Sequence, residues 1–74
     1  MSIGKKANKI NQRKRQKLAQ QILAGELEAG ARGLAEIYRK AGLSGFADLL
    51  EAAANGGESA KKFAIGHAKV LLEE

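Results

Sequence analysis

A chain of 74 residues with a net charge of +5 and no Cys, Pro or Trp is at most one small domain. That length leaves little to wall off a deep pocket, and the lack of Cys excludes a disulfide staple and a thiolate zinc site. No apolar run approaches the roughly 18–20 residues that a membrane span needs. The polar run from Asn11 to Lys17 stands where a secretion signal would carry its apolar stretch, so a cytoplasmic protein with no targeting segment and no membrane partner is expected.

The charge is divided unevenly. Residues 1–17 carry Lys5, Lys6, Lys9, Arg13, Lys14, Arg15 and Lys17 and no acid, whereas residues 18–74 carry six basic and eight acidic residues and are slightly negative. This divides the chain into a basic N-terminal arm or helix start, 1–17, and a compact helical body, 18–74. Abundant Ala, Leu, Glu, Lys, Gln and Arg, few β-branched residues and no period-2 alternation predict an all-α fold. The expected architecture is a small bundle of three to four short helices led by the basic segment.

The first predicted helix runs from about Lys5 to Ala24. Ile3, Ala7, Ile10 and Leu18 share one side, which Lys14 interrupts, while Lys5, Lys9, Arg13 and Lys17 repeat every four residues along another. Like charges at that spacing repel, and lysines at a helix start oppose the macrodipole. The first ten or so residues are therefore expected to fray alone and to order against an anion.

A second helix is expected from about Glu26 to Ala41. Leu27, Ala31, Leu34, Tyr38 and Ala41 form its apolar stripe, with Ile37 beside it, and Gly42 is its stop. Glu26 and Glu28 at its start and Arg39 and Lys40 at its end suit the helix dipole. Gly25, Gly30 and Gly33 lower helix propensity, which implies either a turn near Gly25–Gly30 or close packing across a small-residue face. They do not form a phosphate-binding pattern such as GxGxxG.

Ser44 is the expected N-cap of a third helix whose core face is Phe46, Leu49, Leu50 and Ala53, closed by Asn55-Gly56-Gly57. Ser59 is the expected N-cap of a fourth, running to about Leu72 with Ala60, Phe63, Ala64, His67, Val70 and Leu71 inward. His67, the single histidine, reads as a buried or half-buried packing residue rather than a metal ligand, since no Cys or second His supports it. Ser44 and Ser59 are explained by capping, and the acid pairs Glu26/Glu28 and Glu73/Glu74 by solvation. No catalytic residue, metal site or cofactor site is expected, and the chain does not read as an enzyme.

What remains is the basic segment. Lys5, Lys6, Lys9, Arg13, Lys14, Arg15 and Lys17 are the candidate nucleic-acid-binding residues, because clustered cations neutralise phosphates and release counterions. Asn8, Asn11, Gln12 and Gln16 lie among them and read as polar surface, although amides can also pair with base edges. No aromatic residue lies there to stack single-stranded bases, so duplex DNA or structured RNA is expected. A helix-turn-helix with its turn at Gly56-Gly57 would make Lys61 and Lys62 a secondary nucleic-acid contact. An acidic protein surface is the second expected partner. The alternative function is a small helical protein–protein module, an inhibitor or modulator of phage-like or antitoxin-like size, with homodimer formation as a further expectation.

Overall fold

The computed structural model describes the backbone of residues 2–73 and the side chains of residues 12–73. It contains four helices, α1 (Ser2–Leu23), α2 (Leu27–Lys40), α3 (Ser44–Ala54) and α4 (Glu58–Glu73), and no strand among the described residues. The all-helical bundle expected from composition is thus observed. The expected fraying of the first ten residues falls on side chains outside those described.

Three-residue turns join the helices, and each is built the same way. Gly25, Gly42 and Gly56 adopt positive φ of 100°, 84° and 100°, where a side chain would be strained. At the first turn the Glu26 N–H donates to the Gln21 carbonyl at 2.8 Å and the Gly25 N–H to the Ile22 carbonyl at 3.3 Å. The same pair of bonds recurs from Leu43 and Gly42, and from Gly57 and Gly56. These are Schellman closures, which satisfy the last carbonyls of a helix and reverse the chain. Gly25 therefore ends α1 and separates two helices.

Turns this short make sequential helices neighbours. α1 packs on α2 and α4, and α3 packs on α2 and α4, which gives a four-cornered bundle. Its core consists largely of alanine: Ala19, Ala31, Ala35, Ala47, Ala53, Ala60, Ala64 and Ala68 are buried, with Leu34, Leu50 and Leu71 as its largest fully buried side chains. Such small residues allow close helix approach but bury little apolar area each.

Two glycines of α2 admit α1 closely. A Cβ on Gly30 would stand 2.7 Å from both the Leu18 carbonyl oxygen and Ile22 Cγ1, and one on Gly33 would stand 2.6 Å from Leu18 Cδ2. The glycines therefore have two separate causes. Gly25 makes the turn, while Gly30 and Gly33 admit the α1 backbone and Leu18.

Several expectations about facing are corrected. Ser44 and Ser59 are not N-caps: Leu43 holds the cap position of α3 with no side-chain cap bond, and Ser59 lies inside the first turn of α4. The inward residues of α3 are Ala47, Leu50 and Ala53, whereas Phe46 and Leu49 are 42 and 44% exposed. On α4, Ala60, Ala64, Ala68 and Leu71 face inward, and Val70 is 53% exposed. Ala41 lies beyond the end of α2 and is exposed. The tight bundle interior admits alanine in preference to these larger side chains, so the buried stripes are set by small residues. His67 is half-buried, as expected.

Candidate nucleic-acid interface

α1 is the longest helix, 22 residues or about 33 Å at 1.5 Å per residue, and it bears no acidic residue. Two contacts fix its rotation. Leu18 and Ile22 seat against Gly33 and Gly30 of α2, and Gln16 Nε2 donates to the Leu71 carbonyl near the end of α4 at 3.1 Å. Ala19 and Ile22 are thereby buried.

This rotation separates the candidate cations. Arg13, Lys14 and Lys17 are exposed. At 100° per residue they lie about 160–260° round the helix from Arg15, on its outer side. Arg15 faces inward and is only 9% exposed. The expected order was the reverse, with Lys14 interrupting the apolar side. Lys5, Lys6 and Lys9 precede the described side chains, and the structure does not place them.

Arg15 makes no ion pair or hydrogen bond among the described residues, and its Nε is a buried donor without a partner. The register gives a partial physical account. Moving from Leu18 towards the start of α1 leads towards the C-terminal ends of both α2 and α4. Arg15 is one turn along that path, where the negative ends of two helix dipoles favour a cation. Its aliphatic stem fills space between helices, and the unsatisfied Nε remains a cost of about 1–3 kcal/mol.

The α2–α3 seam differs in its pairing. Arg39 bonds Asp48 at 3.2 Å and also pairs with Glu51. Arg32 pairs with Glu28 at 3.2 Å and Lys40 with Glu36 at 3.4 Å, one helical turn apart. The hydrogen bond from Arg39, more than its charge, holds the Glu51 carboxyl below its ordinary range, and the same contact raises Arg39. A shallow groove of about 320 Å³ lies over these residues, lined by Arg32, Glu36, Arg39, Lys40 and Glu51. Every cation of α2 is thus paired, whereas Arg13, Lys14 and Lys17 of α1 have no acidic partner among the described residues.

α4 adds Lys61, Lys62 and Lys69. Its Phe63 and His67 rings meet Phe46 of α3 at centroid distances of 5.9 and 5.8 Å, which marks the α3 flank. Lys62 and Lys69 are exposed and by helical spacing point away from the core, between the exposed Glu58 and Glu73 of the same helix. Lys61 is half-buried. Lys69 was not among the sequence candidates; its spacing of seven residues from Lys62 is the signal that would have found it.

The rings gather elsewhere. Tyr38, Phe46, Phe63 and His67 form one cluster, with the Tyr38 hydroxyl 2.5 Å from His67 Nε2 and the Phe63 and His67 rings stacked at 5.6 Å. These are all the Tyr, Phe and His residues of the chain, and none is on α1. Among the described residues no three His, Cys, Asp or Glu side chains group as a metal site, and no helix is long and apolar enough to cross a membrane.

Fold and site together define a small four-helix bundle in which Arg13, Lys14 and Lys17 of α1 have no acidic partner among the described residues. Compared with known protein families, curated proteins and solved structures, the chain matches none.

Proposed function

We propose that this chain binds nucleic acid, either duplex DNA or structured RNA, by laying the outer side of α1 along the phosphate backbone. The role is binding rather than catalysis, in the cytoplasm. One observation carries the reading: Arg13, Lys14 and Lys17 stand exposed on one side of a helix without acids, while the cations of α2 are neutralised within the fold. Unpaired, mutually repelling cations on a rigid helix gain most from an external polyanion, because each phosphate contact relieves repulsion and releases counterions.

Lys62 and Lys69 of α4 lie between Glu58 and Glu73 and add little to the footprint, while inward-facing Arg15 takes no part. A duplex or a folded RNA fits better than a single strand, since the basic helix offers no ring on which unpaired bases can stack. Phosphate contacts of this kind position a protein without reading sequence, so weak sequence preference is expected.

The test is titration of the full chain against a labelled 20-base-pair duplex, the matching single strand and an acidic polypeptide, from low to moderate salt. Duplex affinity should fall linearly on a log–log plot, by about 0.9 units per phosphate neutralised, and should exceed affinity for the single strand. Equal or tighter binding to the acidic polypeptide would favour a protein surface. No binding to any of the polyanions at low ionic strength would remove the proposal.

A further inference from the structure

The outer face of the α3–α4 pair carries three of the six exposed large apolar side chains among the described residues, Phe46, Leu49 and Val70. Taking Leu50 as the inward direction of α3, Asp48 and Glu51 lie on the α2 side, while Phe46, Leu49, Gly45 and Ala52 follow one another round the other side. Taking Ala64 as the inward direction of α4, the three lysines lie on the α1 side, and Val70 and Gly66 lie beyond Phe63 and His67 on the α3 side. Phe46 joins the two arcs through its contacts with Phe63 and His67. Among the described residues no charged side chain falls within them.

Two features of this face have no cause inside one chain. Phe46, Leu49 and Val70 are 42, 44 and 53% exposed, with Leu49 and Val70 to either side of Phe46 along the antiparallel helices, in a chain whose interior is mostly alanine. Gly45 and Gly66 are helical, yet a Cβ on either would meet nothing within 4 Å. In α2 helical glycine sits where α1 comes close: Gly30 meets the Leu18 carbonyl and Ile22, and Gly33 meets the Leu18 side chain. Gly66 lies in the middle of α4, where a glycine facing open space lowers helix stability with no return unless another element closes over it.

We propose that the α3–α4 face is a self-association surface on which a second copy of this chain docks, with Phe46, Leu49 and Val70 at its centre and Gly45 and Gly66 admitting the partner's helices. Three considerations select a second copy. Among the described residues the face is neutral in a chain of net charge +5 and α1 has no packing contact with α3, so two copies meet there without bringing their basic α1 sides together. The area suits a small, weak interface at the low end of the specific range. Helices of 11 and 16 residues, about 17 and 24 Å long and each about 10 Å wide, give a projected face of about 400 Å². Upstanding side chains raise its accessible area towards the roughly 600 Å² per partner at which specific interfaces begin. Finally, a small alanine-filled core buries little apolar area, and a permanent cover over exposed phenylalanine, leucine and valine supplies what it lacks. The cover always present alongside the chain is another copy, and the same patch on both partners suits a two-fold contact.

The experiment is sedimentation equilibrium of the full chain at about 10 µM to 1 mM in 0.3 M salt without nucleic acid, which separates it from the phosphate-binding reading. The expected mass is about twice 7.8 kDa, with little salt dependence. Val70→Glu and Leu49→Lys should each raise the dissociation constant at least 10-fold while helical circular dichroism of the concentrated protein is retained. Gly66→Gln places a good helix former on a position open in the monomer, so it should fold and yet weaken the dimer; it serves as the deciding variant should Val70→Glu fail to fold. A mass of 7.8 kDa at the highest concentration overturns the proposal. So does a dimer whose dissociation constant stays within two-fold in Gly66→Gln.

Discussion

The outer side of α1 and the α2–α3 seam have similar numbers of described cations and opposite arrangements. On the seam, Arg32, Arg39 and Lys40 each reach an acid of the same chain. On α1, Arg13, Lys14 and Lys17 reach none among the described residues. A paired surface charge contributes little to stability and little to long-range attraction, whereas unpaired charges of one sign build a field that draws a counter-ion. The difference teaches that net charge is a poor guide to a binding surface in so small a protein; which cations the fold leaves unneutralised is a better one.

The strongest way to break the comparison is to remove the unpaired set. Arg13→Ala with Lys14→Ala and Lys17→Ala should lower duplex affinity on the order of 100-fold at low salt, at about 1 kcal/mol per lost phosphate contact. It should also reduce the salt slope by about three units, one for each contact. The matching triple change on the seam, Arg32, Arg39 and Lys40 to Ala, should alter affinity by less than about 10-fold, since those cations are already engaged. Equal losses from the two variants, measured by anisotropy titration, would mean that total charge rather than the unpaired face does the binding.

A second test acts on the packing that turns the basic side outward. Gly30→Ala drives a methyl against the Leu18 carbonyl, a backbone atom that cannot move independently of α1. Overpacking of about 1–3 kcal/mol should outweigh the roughly 1 kcal/mol of gained helix propensity, for a net loss of about 1–2 kcal/mol and a Tm several degrees lower. Gly33→Ala meets only the flexible tip of Leu18 and should be near neutral. A Gly30→Ala protein as stable as the parent in thermal unfolding would show that α1 is not seated on α2 as described.

Arg15 sharpens the comparison from inside, and it also marks the limit of what the sequence revealed. The helical composition and the stops at Gly42 and Asn55–Gly57 were legible; whether Gly25–Gly33 bends one helix or divides two was not, because glycine there serves both a turn and a close approach. Nor was the rotation of the helices. With fourteen alanines in the chain, large apolar residues appeared to mark the core, yet the close-packed interior took the alanines and left Phe46, Leu49 and Val70 outside. On α1 the same ambiguity exchanged Lys14 and Arg15, because the inward direction is set by Gly30 and Gly33 of α2, which no pattern within α1 encodes. The candidate site was legible as a composition but not as a side. Arg15→Met keeps the stem and removes a buried charge with an unsatisfied donor. It should leave duplex affinity within about two-fold and stability unchanged or raised by about 1 kcal/mol, as buried charges replaced by apolar groups of similar volume often do. A clear loss of affinity at constant stability would return Arg15 to the binding face.

The smallest effect belongs to the seam itself and is read by pH. The Arg39 hydrogen bond holds the Glu51 carboxyl below its ordinary value of 4.5. A depressed folded-state pKa means that the charged form is favoured in the folded chain, so the contribution is present above the unfolded value and is lost as pH falls through the lower folded one. Between neutral pH and the acid side of that range the parent should lose stability that a Glu51→Gln variant never had, so their melting temperatures should converge on acidification. Both groups are exposed and screened, so the gap at neutral pH should be small and should shrink further in high salt. A gap that persists at the acid end would place the role of Glu51 in packing rather than in its charge. The seam would then no longer stand as the neutralised counterpart of α1.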